Sequence, residues 1–452
     1  MGKHNFVQVE PGIRIDYETG LIVREQPFFL CSQDLYYAKK GDTIRVKDES
    51  YLLGVATYGL EVPQEYMYTY MYEPEHNWSV YEKNLSEEDF SIGTYVFQKE
   101  CYFRVLLKKK NGTPCTAEDA GRLYDILRFR LSDKKREEKD YFIREANITA
   151  DTVCSKKSGG ESLVFGLLTD SHATVNGTWK DTVHNLAMVN KQVGFDGIIH
   201  LGDLHDGILS KKKCRSLATE YMNDLRSVCE PLYQVIGNHD TNYFNGNPEW
   251  LTEEEQHSLY GSFMDDYVTR EGNNIYYYVD YDTVKLRMIF LSSFNHLEPV
   301  RYGFPREELD WLTKVLGETE KGYKVLVFSH DAPLARLDYW ANEIRSGEEL
   351  TCILERFNEE PGHTVLGYIH GHTHADYIYT ERNFPIISVG CSKCEYFPDK
   401  KPEGSVRQMR KLGDVTQDLW DVLIVKPRQN KLEFVRFGAG EDRTVLCRDR
   451  LA

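Results

Sequence analysis

Apolar and polar positions alternate with a period of two over much of the first 130 residues. The runs fall at 13–17, 43–46, 51–58, 66–72, 94–97 and 101–107, separated by Gly, Asp, Asn and Pro. Alternation sends successive side chains to opposite faces of a strand, and frequent short strands with turn residues between them predict a sandwich-like all-β domain. Tyr66, Tyr68, Tyr70 and Tyr72 share one face of such a strand. That row serves either to pack against a second sheet or as an aromatic platform for sugars or a protein partner. Thr116 is placed to cap a helix over 117–130. Residues 133–140 are almost all charged and 158–160 read Ser-Gly-Gly. The stretch 131–160 is therefore expected to be a solvated connector.

From Leu163 the pattern changes. Mainly apolar runs at 163–168, 196–201, 233–236, 324–328 and 364–369 alternate with segments of helical period. One such segment carries Trp179, Val183, Leu186 and Ala187, a second Leu217, Tyr221, Leu225 and Val228, and a third Leu309, Leu312 and Leu316. A further helix is expected near 342–357. Strands buried on both faces and alternating with helices predict a layered α/β domain over 161–452. Residues 275–279 and 285–291 are expected to pair, and 385–389, 419–425 and 432–437 to add strands at the tail. The polar, aromatic stretch 242–274 is expected to be an insertion that shapes substrate access, and 396–416 a loose excursion. There is no internal repeat.

Composition narrows the class. A chain of 452 residues is too long for one core, so a front domain over 1–130 and a larger one over 161–452 are expected. A hydrophobic content of 41% with 28% charged residues is that of a soluble globular protein. The net charge of −16 argues against non-specific binding to nucleic acid or anionic membranes. It leaves room for a phosphorylated substrate, because bound cations reverse the field locally. The 10 cysteines are scattered, which predicts reduced thiols. Cys391 and Cys394 form a CxxC with no second pair for a zinc site. The first residues lack the apolar core of a signal peptide, and Phe6 stands where a myristoylation signal needs Ser or Thr. No run is apolar and long enough to cross a bilayer. The expected location is the cytoplasm, with export by another route or loading onto a larger particle left open.

The chemistry sits where the apolar runs stop. Asp170 and His172 follow the first, Asp203 and Asp206 the second, Asn238, His239 and Asp240 the third, His330 the fourth, and His372 and His374 the fifth. In α/β sheets, ligands bind beyond the carboxyl ends of the strands. Carboxylate and imidazole gathered there suit a divalent metal.

The blocks Asp-x-His, Gly-Asp-x-x-Asp, Gly-Asn-His-Asp, a lone His after a strand, and Gly-His-x-His occur in that order. This series resembles the calcineurin-like metallophosphoesterases over about 163–440. The resemblance implies two metal ions, Mn, Fe or Zn, sharing Asp203. It assigns Asp170, His172 and His374 to one site and Asn238, His330 and His372 to the other. The implied reaction is attack of a metal-bridging hydroxide on a phosphoester. Two cations about 3.5–4 Å apart bind phosphoryl oxygens and acidify a water between them. His239 is implied to face the phosphate and protonate the leaving oxygen. Asp206 or Asp240 is expected to orient its ring. Asp206 stands where the family's protein phosphatases carry Arg, and no Arg follows Gly-Asn-His-Asp. A phosphodiester or small-molecule substrate is therefore favoured. Arg301 and Tyr302 are candidates to line the pocket, while His205 is expected at the surface. The alternative is a surface- or particle-attached protein whose front domain binds a glycan or another subunit. Its phosphoesterase domain would then act locally on cell-envelope phosphodiesters.

Overall fold

The computed structural model describes residues 7–32, 35–59, 81–82, 84–132, 139–157, 159–173, 178–244, 246–395, 405–406 and 408–447. The tyrosine row at 66–72 lies outside them. The front region is rich in strands: β1 (Glu10–Ile15), β2 (Ile22–Cys31), β3 (Tyr36–Ala38), β4 (Thr43–Val46), β5 (Tyr51–Tyr58), β6 (Thr94–Val96) and β7 (Cys101–Lys109). An eighth, β8 (Leu127–Arg130), replaces the last turn of the expected helix. Thr116 does cap, in a reciprocal box with Asp119, but only short α1 (Ala117–Gly121) and α2 (Leu123–Ile126) follow. Leu127 and Phe129 alternate with Arg128 and Arg130, and pairing with β4 exploits that period of two. One sheet runs β1-β2-β7-β3 with β5 also on β7, and a second runs β6-β4-β8. Both contribute to a common core, through Leu30, Val55 and Leu107 from the first and Ile44, Val46 and Phe129 from the second.

The stretch 131–160 is no simple connector. It holds the 17-residue α3 (Asp140–Lys156). Phe142, Ala146, Ala150 and Val153 recur at helical spacing and are buried against Trp420 and Phe437. Charged residues such as Arg144 and Asp151 occupy its exposed face.

The second part continues with β9 (Leu163–Leu168), α4 (Trp179–Val193), β10 (Gly197–His200), α5 (Lys211–Val228), β11 (Leu232–Gln234) and α6 (Glu253–Gln256). Then come β12 (Tyr277–Tyr281), β13 (Leu286–Phe290), α7 (Arg306–Gly317), β14 (Lys324–Phe328), α8 (Gly347–Glu359) and β15 (Thr364–His370). It closes with β16 (Tyr377–Tyr379), β17 (Ile386–Ser388), β18 (Leu419–Lys426), β19 (Lys431–Gly438) and β20 (Arg443–Leu446). Two six-stranded sheets result, β11-β10-β9-β18-β19-β20 and β12-β13-β14-β15-β17-β16. Strands β9, β10 and β11 are mutually parallel, and so are β13, β14, β15 and β17.

The sheets face each other through Phe165, Leu167 and Ile199 on one and Met288, Phe290, Leu326 and Phe328 on the other. Helices α3, α4 and α5 cover the outer face of the first, and α7 and α8 that of the second. This is a four-layer helix–sheet–sheet–helix stack, in which a strand apolar on both faces meets a partner sheet on one side and helices on the other. Residues 408–416, expected to be loose, are anchored by the buried Arg410, which donates to the carbonyls of Thr416, Cys391 and Gln417. All ten cysteines are free thiols. No described helix is long and apolar enough to cross a membrane.

Candidate metal centre

The parallel strands β9, β10 and β11, and β14 and β15, each release the chain at their carboxyl ends into a short loop. These loops carry Asp170 and His172, Asp203, Asn238 and His239, His330, and His372 and His374. Five of these residues turn with positive φ: Asp170 (49°), His172 (40°), Asp203 (56°), His372 (61°) and His374 (54°). A left-handed backbone at a residue with a side chain costs on the order of 1–3 kcal/mol and persists where surroundings over-determine it. Here the surroundings do: the Asp170 N–H donates to Gly202 C=O (2.9 Å) and the His172 N–H to Asp203 C=O (3.0 Å). The His372 N–H donates to Asp170 Oδ2 (2.9 Å). Glycine is required where loops touch, since a Cβ at Gly237 would meet Asp203 Oδ1 at 2.2 Å and one at Gly371 would meet Thr169 Oγ1 at 2.0 Å.

Asp203 is the hub. Its Oδ1 accepts the His239 N–H (2.9 Å). Its Oδ2 lies 3.2 Å from His330 Nε2, 3.8 Å from His239 Nε2 and 3.9 Å from His172 Nε2. Asp170, His172 and His374 converge as one donor group, and Asp203, His330 and His372 as another. Asn238 Oδ1 is 3.2 Å from His330 Nε2, so it joins the second group. Asp170 Oδ1, 3.1 Å from His374 Nε2, is buried without a hydrogen-bond partner, as are His172 Nε2 and His372 Nε2. An orphaned buried polar atom costs about 1–3 kcal/mol. A cation's coordination shell relieves that cost, so the donors fit the two-cation centre implied by the motifs.

Carboxylates and imidazoles perturb one another here: against burial, Asp203 holds His330, and Glu395 and Asp170 hold His374, well above the ordinary histidine value. Burial resists ionisation of Asp170, yet the neighbouring His374 and His330 hold it well below the ordinary carboxylate range. Asp203 is likewise held low against burial, chiefly by His330 and His239. His372 is pushed down by burial and by His330, which favours the neutral imidazole that ligates metals.

A family model for the calcineurin-like phosphoesterases matches residues 163–376. Residues 163–376 are thus a calcineurin-like phosphoesterase domain. The chain is accordingly a hydrolase of phosphoester bonds, and the family's general use of two divalent ions agrees with the paired donor groups. No curated protein sequence matches it. Among solved structures, a dimetal phosphatase from Danio rerio shares 16% identity over 63% of this chain and 99% of its own, with a TM-score of 0.43. GAP50, the anchor in the inner membrane complex of Plasmodium, shares 13% over 62% and 90%, with a TM-score of 0.41. The phosphopantetheinyl hydrolase of Mycobacterium tuberculosis shares 12% over 51% and 91%, with a TM-score of 0.34.

Within this phosphoesterase site, two carboxylates act differently from expectation. Asp206 Oδ1 faces His172 Nδ1 at 2.7 Å, so its side chain orients His172 rather than His239. His239 is held by the Asp206 main chain instead, with Nδ1 donating to the carbonyl at 2.8 Å. Asp240 touches no imidazole. It accepts the N–H groups of Asp203, Leu204 and Gly237 at 2.8, 2.9 and 2.9 Å and so fixes the loop that presents Asp203. Burial and the nearby Asp203 charge push its carboxyl up to about 7.

His205 is fully buried rather than at the surface, with Nε2 2.8 Å from the Tyr260 hydroxyl. The Tyr302 ring lies 5.1 Å from that of His372, whereas Arg301 is exposed and reaches over Tyr243. His296 stacks on Tyr243 (4.6 Å) and meets Trp250 (4.2 Å) beside that arginine.

Other neighbours of the site carry no motif. Glu395 hydrogen-bonds His374 Nδ1, and Cys391 lies in the same cluster, so half of the CxxC stands beside a ligand residue. Asp331 Oδ1 is 3.5 Å and Asp338 Oδ1 3.8 Å from His372 Nε2. The Phe244 ring packs 4.3 Å from that of His239 and also against the front core. Only the Ser-His-Asp sequence could have drawn attention to Asp331; the rest needed the fold.

Proposed function

We propose that the chain hydrolyses a phosphodiester or another small-molecule phosphoester at a centre of two cations. Asp170, His172 and His374 would hold one, Asn238, His330 and His372 would hold the other, and the Asp203 carboxylate would serve both. The carrying observation is the set of buried, unpartnered atoms Asp170 Oδ1, His172 Nε2 and His372 Nε2 around the Asp203 carboxylate. The mixed oxygen and nitrogen donors suit Mn, Fe or Zn. Bound there, the cations would polarise the phosphoryl oxygens and lower the pKa of a water to make the nucleophile.

The chain's own groups supply the rest. His239 donates Nδ1–H to the Asp206 carbonyl, which turns Nε2 toward the side where Asp203 Oδ2 lies, 3.8 Å away. In its imidazolium form that nitrogen can hand a proton to the leaving oxygen. Burial pushes His239 below its ordinary value while the Asp203 charge opposes this. Phe244, Tyr302 and Trp340 rim the ligand residues, with Trp340 Nε1 donating to the His372 carbonyl (3.0 Å). Aromatic walls favour a substrate with an organic leaving group. Metal analysis of the purified protein, with a panel of mono- and diesters, tests the reading. The expected result is bound transition metal and faster turnover of diesters. No metal, and no activity after Mn addition, would remove it.

A further inference from the structure

A cavity of ≈950 Å3 opens where the front region meets the start of α5, and none of the ligand residues lines it. Its cationic side chains come from three elements: Lys47 just past β4, Arg128 and Arg130 on β8, and Lys212 and Lys213 on α5. Two carboxylates share the lining, Asp42 and Asp125. Asp42 is already engaged, accepting from the Lys39 N–H, the Ser132 N–H and the Ser132 hydroxyl at 2.7, 3.0 and 2.6 Å. Among the described residues Arg128, Arg130 and Lys212 form no ion pair. Their neighbours Lys211 and Arg215 do, both turning away to Glu255 at 2.7 and 3.0 Å.

The positive charge here is concentrated against a net charge of −16 for the whole chain. Arg128 and Arg130 sit on the same exposed face of β8, because Leu127 and Phe129 take the inward positions. The N-terminus of the 18-residue α5 adds the positive end of its dipole, with no acidic residue in its first turn and no side-chain cap from Ser210. Lys213 Nζ lies 5.3 Å above the Tyr124 ring on the cavity wall. Like charges gathered in a concavity repel one another and focus a field that attracts anions.

We propose that this cavity is a binding site, separate from the metal centre, for a small multiply phosphorylated anion. Its volume is that of a small-molecule pocket. Cations on three elements call for several phosphate groups in one ligand, and exposed guanidiniums suit phosphate oxygens bidentately. Calorimetric titration of the full-length protein with inorganic tripolyphosphate is expected to show binding that weakens as salt is raised. The variant combining Arg128→Glu, Arg130→Glu and Lys212→Glu is expected to bind about tenfold more weakly or worse, that is, by at least about 1.4 kcal/mol. Its turnover of bis-p-nitrophenyl phosphate should stay within about twofold of native, since it touches no ligand residue. Lys212→Glu alone, at an exposed position, should weaken binding in the same direction and guards against misfolding of the triple variant. Equal affinity in native and variant proteins would place the anion at the metal centre and overturn the proposal. So would no binding to the native protein up to about 1 mM.

Discussion

At His239 the imidazole is held by one hydrogen bond, to the Asp206 carbonyl, and by ring packing against Phe244. It completes neither donor group of the two-cation centre. His239→Ala should therefore lower turnover by about 10²–10⁴-fold while metal content, measured by elemental analysis, stays native. Asp206 has the opposite profile, because its carboxylate meets the outer nitrogen of His172. Asp206→Asn should weaken metal binding by about 10–100-fold in a competitive chelator titration. The two variants separate an acid from an orienting group, although both residues belong to adjacent motif blocks. The sequence offered one carboxylate or the other, Asp206 or Asp240, to steer His239. Neither side chain does so, since in each case the loop geometry points it elsewhere.

At the scale of elements, Phe244 and Ile208 link the two halves of the molecule, and Asn242 and Asn247 secure the chain beside them. Asn247 Nδ2 donates to the carbonyls of Gly207, Leu209 and Asn242 at 3.3, 3.0 and 2.9 Å, and Phe244 and Ile208 pack with the front core. The front region thus braces the wall behind His239. Phe244→Ala should reduce turnover by about 10–100-fold with metal content unchanged, since small misplacements of a reacting group are expensive. A parallel thermal melt separates this from unfolding. At the start of α7, Glu308 is fully buried and accepts the Ser292 N–H at 2.7 Å. Burial pushes its carboxyl well above the ordinary 4.5, against that hydrogen bond. As pH rises past 4.5 the unfolded chain ionises while the folded carboxyl keeps its proton, so stability falls with rising pH. Glu308→Gln should flatten that slope and gain about 1–3 kcal/mol at neutral pH in urea melts.

Across the whole molecule, one buried ion cluster joins the tail strands to the metal loops. Arg436 on β19 donates to Asp421 on β18 (2.8 Å) and to Asp376 (2.9 Å), which lies two residues past His374. Arg443 on β20 pairs with the same two carboxylates at 2.8 and 3.0 Å. Arg436→Leu would strip one cation from two buried anions and should cost about 3–5 kcal/mol, read by urea denaturation. No spacing in the chain announces this cluster, because its members fall on four segments that meet only across the sheets.

The amino-acid sequence by itself determined most of the strands and helices after Leu163, all but α6, β16 and β20, the burial of the parallel strands and the metal-binding residue types at their ends. Hydrophobic period and strand-end ligands are local signals, legible from residues a few positions apart. It misjudged what depends on distant partners. The strand at 127–130 forms because β4 is beside it, and the helix at 140–156 because β18 and β19 offer an apolar surface. Tertiary structure alone decided that Asp206 serves His172, that Asp240 holds a loop, and that five cations face one cavity. Side-chain direction at a loop is set by backbone angles and neighbours from elsewhere in the chain, and neither is written in the local pattern.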